Sequence, residues 1–170
     1  MYTVHEPVLA KEVVEYLRPQ KNENFIDCTL GGAGHARAIL DRTDPDGKLL
    51  GIDWDKEAIA RCAEMLAPYE QRTVLVNDSY VNVKKIVYET KFNPVNGLLL
   101  GLGLSLDQLQ SSGRGFSFQI DEPLDMRFST DNEVTAAKIL NTWSAKELQQ
   151  IFSEYAEERN SKKLAEAIVK

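Results

Sequence analysis

Residues 27–35 read Asp-Cys-Thr-Leu-Gly-Gly-Ala-Gly-His, and the apolar pair Phe25 and Ile26 leads into them as a short strand. The following residues, 36–40, are typical of a helix. A strand, a glycine-rich turn and a helix in this order form a ligand loop. Glycine lets the backbone approach a ligand closely, and the first N–H groups of a helix are unpaired. This stretch predicts an α/β fold with a binding loop.

A second apolar strand, Lys48–Asp53, ends in a carboxylate. An acid about 20 residues after such a loop is where nucleotide-binding α/β folds hold ribose hydroxyls. The loop lacks the G-x-G-x-x-G spacing of dinucleotide sites and the G-K-[ST] ending of a P-loop. S-adenosylmethionine therefore fits better than NAD, because it needs room for an amino acid and no pyrophosphate clamp. A purely structural glycine turn stays open as the alternative.

The composition, 43% hydrophobic and 27% charged, is that of an ordinary globular protein. The net charge of −6 gives no global basic field, so contact with RNA would need a local basic patch. The two cysteines, Cys28 and Cys62, suggest no disulfide framework or metal spacing, and we expect reduced core thiols. Neither a secretion signal nor an apolar run of membrane-spanning length is visible, so we expect a cytoplasmic location.

Hydrophobic periodicity predicts strands that alternate with helices, and hence a parallel sheet with right-handed crossovers. The predicted strands are Phe25–Asp27, Lys48–Asp53, Thr73–Asn77 and Gly97–Leu102. The predicted helices are Pro7–Leu17, Ala36–Asp41, Lys56–Leu66, Val81–Glu89, Val134–Leu140 and Ala145–Lys170. Ser144 and Glu147 have the spacing of a capping box. We expect a four-stranded α/β core over residues 1–104 and a loop and helical region over residues 105–170.

Six sequence blocks occur in an order that is specific to one family. They are His5-Glu6-Pro7-Val8-Leu9, residues 27–35, Gly51-Ile52-Asp53, Gly113-Arg114-Gly115-Phe116-Ser117-Phe118, Glu122-Pro123-Leu124-Asp125-Met126-Arg127 and Tyr155-Ala156-Glu157-Glu158-Arg159. Together they resemble the bacterial small-subunit ribosomal RNA cytosine-N4 methyltransferases of the MraW type. The resemblance implies a Rossmann-like S-adenosylmethionine-dependent methyltransferase core, with a partial parallel sheet here, followed by a helical substrate-recognition region.

The resemblance also implies which residues bind the cofactor: Ala33, Gly34, His35, Asp53, Tyr80 and Gln108. Asp53 would take the ribose hydroxyls, as the residues alone also suggest. At a helix start the dipole disfavours positive charge, so we expect His35 to be a neutral hydrogen-bonding group. A packing role for His35, and a place for Tyr80 as the first residue of a packed helix, stay open.

Several basic residues are candidates for contact with RNA: Arg114, Arg127, Arg159, Lys162, Lys163 and Lys170. Arg114 lies between two glycines, and we expect it to be exposed and able to reach a phosphate; a solvated loop arginine is the alternative. Asp125 and Arg127 are expected to form a structural ion pair. Acidic neighbours dilute the basic cluster near the end of the chain, so a solvated helix face is equally open there.

The chain departs from the family pattern at the end of the fourth strand. Gly101 stands where the family has aspartate, a group that can orient the target amine, so the catalytic residue is unknown. Members of the family run well past the position of Lys170, and the resemblance implies that the strands that complete the methyltransferase sheet follow the helical insertion in those proteins. Smaller departures include Ala33 in place of a loop glycine.

Two functions follow from these features. One is transfer of a methyl group from S-adenosylmethionine to the N4 amine of a cytosine in small-subunit ribosomal RNA, with that RNA or the ribosomal subunit as partner and no membrane. The other is a non-catalytic module that binds RNA or protein and self-associates, as a homodimer, through an exposed sheet edge.

Overall fold

The structure, a computed structural model, describes residues 7–170, so His5 and Glu6 of the first sequence block lie outside the described residues. The chain forms two compact units, of which the first ends at Leu106 and the second comprises Asp107–Lys170. No helix within the described residues is both long enough and apolar enough to cross a bilayer.

A four-stranded sheet organises the first unit. Its strands are β1 (Phe25–Asp27), β2 (Leu49–Asp53), β3 (Thr73–Asn77) and β4 (Gly97–Leu99). They run in the order β3-β2-β1-β4, and every neighbouring pair is parallel. The predicted parallel sheet is confirmed, with β1 and β3 as expected, whereas β4 ends three residues before the predicted Leu102.

The register brings the carboxyl ends of the strands together at one edge of the sheet. Asp27 lies opposite Gly51 on one side and Leu99 on the other, and Asp53 lies opposite Asn77. Because α/β folds bind ligands at the carboxyl ends of their parallel strands, this edge is the candidate ligand site.

Helices cover both faces of the sheet. They are α1 (Ala10–Leu17), α2 (Gly34–Arg42), α3 (Lys56–Met65) and α4 (Val83–Thr90), with short 3-10 turns at Ala67–Arg72 and Tyr80–Asn82. Successive residues of β1 enter different cores: Phe25 packs with residues of α2 and α3, and Ile26 packs with Ile86 of α4. Both cysteines are buried and reduced, which confirms the core thiols.

The second unit is helical, as the loss of strand periodicity predicts. A short helix, α5 (Leu106–Gln110), begins at the boundary, and α6 (Ala136–Thr142), α7 (Ala145–Glu154) and α8 (Ser161–Val169) follow. The capping box of Ser144 and Glu147 is present at the start of α7.

The prediction of one continuous helix over 145–170 is wrong. The helix ends at Glu154, Glu157 adopts a left-handed conformation with φ of 50°, and the N–H of Glu158 donates to the carbonyl of Phe152. This reversal allows α8 to pack against α7. Tyr155, the residue after the end of α7, is exposed.

Candidate functional site

The glycine-rich loop after β1 is shaped by backbone geometry that favours glycine. Gly31 and Ala33 have φ values of 51° and 58°, in the left-handed region. Ala33 is fully buried at the N-cap position of α2, which starts at Gly34. A Cβ on Gly34 would lie 2.8 Å from Cγ of Pro7, so a side chain there would displace the proline. His35 lies half-buried in the first turn of α2.

Asp53 joins this loop to the end of β2. One of its oxygens, Oδ2, accepts a hydrogen bond from the N–H of Gly31 at 2.8 Å. The other, Oδ1, accepts from the N–H of Asp55 at 2.9 Å. Since an ionised carboxylate has about four lone-pair sites, each oxygen keeps the capacity for one more donor. The loop and the predicted ribose acid therefore lie side by side, as the sequence predicts.

Asp27, at the end of β1, is a buried carboxyl that the sequence reasoning did not single out. Only 1% of its surface is exposed, and its Oδ1 accepts from the N–H of Thr29 at 3.1 Å. Its Oδ2 has no hydrogen-bond partner within the described residues. The position of Asp27, directly before the glycine-rich loop, was the signal that could have identified it.

Burial dominates the ionisation of both carboxyls at this edge. It raises the pKa of Asp27 to about 6, against the N–H of Thr29, and the nearby charge of Asp53 raises it further. Burial also raises the pKa of Asp53, although the N–H groups of Asp55 and Gly31 oppose this effect. Both pKa values are raised because the ionised carboxylate is poorly solvated at this edge. Carboxyl groups with shifted pKa values are common in functional sites.

Thr29 links the loop to the residues that follow β4. Its Oγ1 accepts a hydrogen bond from the N–H of Gly101 at 2.6 Å. A Cβ built on Gly101 would lie 3.1 Å from that same oxygen and would meet no other atom of residues 7–170 within 4 Å. The Gly101 position is therefore open, and its backbone is tied to the glycine-rich loop.

Two aromatic residues follow the ends of β2 and β3. Tyr80, predicted from the family resemblance, begins a 3-10 turn and is 42% exposed. Trp54, which the sequence reasoning missed, follows Asp53 directly and is 46% exposed. Its signal in the sequence was an aromatic residue next to the predicted ribose acid.

The second unit contains Gln108, Arg114 and Arg127. Gln108 is buried in α5. The expectation that Arg114 is exposed is wrong: 7% of its surface is exposed, and its guanidinium donates to the carbonyls of Arg127 and Phe128 at 3.0 and 2.9 Å. The buried guanidinium thus satisfies two loop carbonyls, and a buried polar group needs such partners.

The ion pair between Asp125 and Arg127 is confirmed. Nε and Nη2 of Arg127 donate to the two carboxylate oxygens of Asp125, each at 2.7 Å. This fork holds the pKa of Asp125 below its usual range. The Arg127 guanidinium also donates to the carbonyls of Thr130 and Asn132, so it shapes the loop.

The remaining predicted basic residues are exposed: Arg159, Lys162, Lys163 and Lys170. Lys162 lies 3.9 Å from Glu166 on the same face of α8, in an i,i+4 pair. Such an exposed pair contributes little to stability. Contact of these residues with RNA stays a prediction.

A parallel sheet with a glycine-rich loop and a carboxylate at its carboxyl edge is the core of a Rossmann-like α/β fold. The family model described as the MraW methylase family matches residues 2–170, and this chain belongs to that family. Both the family resemblance and S-adenosylmethionine as the cofactor of the family are thereby confirmed.

Two relatives are both named ribosomal RNA small subunit methyltransferase H. The protein from Syntrophotalea carbinolica is 46% identical over 98% of this chain and 53% of its own length. The protein from Geotalea daltonii is 45% identical with the same coverage. The chain thus spans about half the length of the curated relatives it matches. A solved rRNA methylase from Streptococcus thermophilus is 17% identical, with a TM-score of 0.47 over 60% of this chain and 58% of its own.

Proposed function

We propose that this chain binds S-adenosylmethionine at the carboxyl edge of its sheet and takes part in methylation of small-subunit ribosomal RNA. The observation that carries the proposal is the hydrogen bond from the N–H of Gly31 to Asp53. It joins the glycine-rich loop to Asp53, the residue that we expect to hold the ribose hydroxyls, and so supports a single site for both.

The charge of the site fits this cofactor. The carboxyls of Asp27 and Asp53 interact at the same edge, and Oδ2 of Asp27 has no donor within the described residues. Such a buried, unsatisfied carboxylate is unfavourable on its own. S-adenosylmethionine carries a positive sulfonium and a positive ammonium group, and cationic charge near this edge would offset the cost.

Different residues would bind different parts of the cofactor. Asp53 would accept the ribose hydroxyls with its two free acceptor sites, and the loop around Gly31 and Gly34 would admit the cofactor close to the backbone. When bound, S-adenosylmethionine supplies an electrophilic methyl group. Gly101, next to the loop, offers its backbone carbonyl but no side chain to the target amine. We infer that the target is the N4 amine of a cytosine, on the family resemblance alone.

Calorimetric titration with S-adenosylmethionine tests the cofactor site. We expect saturable binding, and we expect Asp53→Asn to weaken it by at least tenfold, because a charged acceptor forms stronger hydrogen bonds than an amide. Asp46→Asn, at an exposed position in the turn after α2, is the matched control and should bind as the parent does. Absence of any heat at millimolar cofactor would contradict the proposal.

Gly101→Asp tests the open position after β4. The new Cβ would lie 3.1 Å from Oγ1 of Thr29, so it fits if the Thr29 side chain moves by a few tenths of an ångström. We expect the variant to raise methyl transfer to small ribosomal subunits, by a factor of about 100 on the scale of other preorganised polar groups. Gly101→Asn, which adds similar volume without charge, is the matched control.

The non-catalytic alternative is favoured by the same glycine and by the edge strand β4, where Leu98 is exposed and Leu100 just beyond it is exposed too. If Gly101→Asp binds cofactor but stays as inactive as the parent, the binding-module function is favoured. Sedimentation at high protein concentration tests self-association, and a strictly monomeric profile would exclude pairing through this edge.

A further inference from the structure

We infer that Thr29 is a positioning residue, whose side chain fixes the backbone of Gly101 against the glycine-rich loop so that methyl transfer can take place beside it. The inference rests on the proposed function, because in that function the backbone of Gly101 faces the target amine. The family resemblance gave no role to Thr29.

The hydrogen bond between Thr29 and Gly101 continues the pairing of β1 and β4 beyond its backbone partners. Asp27 lies opposite Leu99 in the register, and the N–H of Cys28 donates to the carbonyl of Leu99 at 2.9 Å. Two residues after that opposed pair, Oγ1 of Thr29 accepts from the N–H of Gly101 at 2.6 Å. The Thr29 side chain thus takes the place of a backbone partner where the sheet ends.

The segment after β4 has few other restraints. Within residues 7–170, the bond to Thr29 is the only hydrogen bond of residues 100–104. Gly103 has a φ of 143°, which few residues other than glycine adopt. Because the peptide bond is planar, holding the N–H of Gly101 fixes the whole peptide plane between Leu100 and Gly101. The Gly101 carbonyl therefore follows a fixed plane.

Thr29 is itself held at the buried carboxyl of the site. Its N–H donates to Oδ1 of Asp27 at 3.1 Å. Burial raises the pKa of Asp27, and hydrogen bonding with the Thr29 side chain opposes that rise. A hydroxyl offers one donor and two acceptor sites, so Thr29 can donate to Asp27 while it accepts from Gly101. Branching at Cβ also restricts the rotation of this side chain.

The absence of a side chain at Gly101 makes this restraint important. A carboxylate at position 101 could orient the target amine by itself, whereas the only polar groups of Gly101 are those of its backbone. Polar groups stabilise developing charge well only when they are held in place before the reaction. We expect the hydrogen bond to Thr29 to hold this backbone in place.

Amide hydrogen exchange, followed by NMR on the ligand-free chain, tests the restraint directly. Thr29→Val removes the hydroxyl and should make the N–H of Gly101 exchange about fivefold faster, the scale of one hydrogen bond between neutral groups. Thr29→Ser keeps a hydroxyl and should exchange as the parent does. Thr90→Val is the matched control, because it removes a hydroxyl that donates to the carbonyl of Ile86 in α4 at 2.7 Å.

Methyl transfer to small ribosomal subunits tests the functional consequence. At saturating S-adenosylmethionine, Thr29→Val should lower the rate about fivefold and leave the affinity for the cofactor within about twofold of the parent, because one hydrogen bond remote from the cofactor is lost. Thr29→Ser should restore most of the rate. A merely structural role for Thr29 would instead weaken cofactor binding and lower the rate together. If Thr29→Val does not fold, Thr29→Ala removes the same hydroxyl with a smaller side chain.

The two possible failures are distinguishable. If the parent transfers methyl groups, and the variants without the hydroxyl match it in the rate or in the exchange of the Gly101 amide, the inference is overturned while the proposed function stands. If the parent binds no S-adenosylmethionine or transfers no methyl group, the proposed function fails, and the positioning role of Thr29 fails with it.

Discussion

Asp27→Asn should stabilise the ligand-free protein at neutral pH. Burial raises the pKa of Asp27 from 3.8 to about 6 in the folded protein. At 1.36 kcal/mol for each pKa unit, ionisation of this buried group costs about 3 kcal/mol of the free energy of unfolding above pH 6. An asparagine avoids that cost but leaves part of its amide without a partner, which costs about 1 kcal/mol. The expected net gain at pH 7.5 is about 2 kcal/mol.

The effect of Asp27 on stability depends on pH. A carboxyl with a raised folded pKa keeps its proton longer in the folded state than in the unfolded chain. Its contribution to stability is therefore complete below about pH 4 and is lost as the pH rises to about 6. The advantage of Asp27→Asn should be full at pH 7.5, and near pH 4 only the cost of the unpaired amide, about 1 kcal/mol, should remain.

Urea denaturation at these two pH values measures the effect, with Asp46→Asn as the control at an exposed position. Calorimetric titration tests the effect on binding. Asp27→Asn should weaken binding of S-adenosylmethionine more than binding of S-adenosylhomocysteine, because only S-adenosylmethionine carries the sulfonium charge. A variant that is destabilised equally at pH 4 and pH 7.5 would refute the reasoning, since the loss would then come from packing and not from charge.

Three further changes test the fold. Gly51→Ala should destabilise the protein by about 1–3 kcal/mol in urea, because its Cβ would lie 2.9 Å from side-chain carbons of Leu30 and Leu75; a neutral result would mean that these side chains repack freely. Ser144→Ala should cost about 1 kcal/mol in thermal unfolding through loss of the N-cap of α7, and an unchanged melting temperature would contradict that. Arg114→Met should raise amide exchange within residues 107–170 by loss of two buried hydrogen bonds, and exchange equal to the parent would show that the arginine is dispensable.

Elements with a strong local pattern could be predicted from the sequence. The strands Phe25–Asp27 and Thr73–Asn77 have the predicted bounds, because short apolar runs between turn signals are readable in one dimension. The reversal between α7 and α8 could not be predicted from the sequence. Glu157 adopts there a left-handed conformation that usually requires glycine, and a glutamate gives no such signal. There the packing of α8 against α7 overrides local preference.

The candidate site was only partly readable. Asp53 could be identified from its distance along the chain from the glycine-rich loop. The buried state of Arg114 could not, because an arginine between two glycines reads as a solvated loop residue until its carbonyl partners are known. Asp27 and Trp54 went unnoticed for a related reason: burial and exposure are properties of the folded chain.

The sequence by itself determined the alternation of strands and helices, the glycine-rich loop and membership of the methylase family, because each depends on residue type and spacing. The tertiary structure alone decided which polar groups meet: Gly31 with Asp53, Thr29 with Gly101, and no donor at all for Oδ2 of Asp27 within the described residues. Strand register and burial fix those pairings. They also set the pKa of each carboxyl, and no local pattern records them.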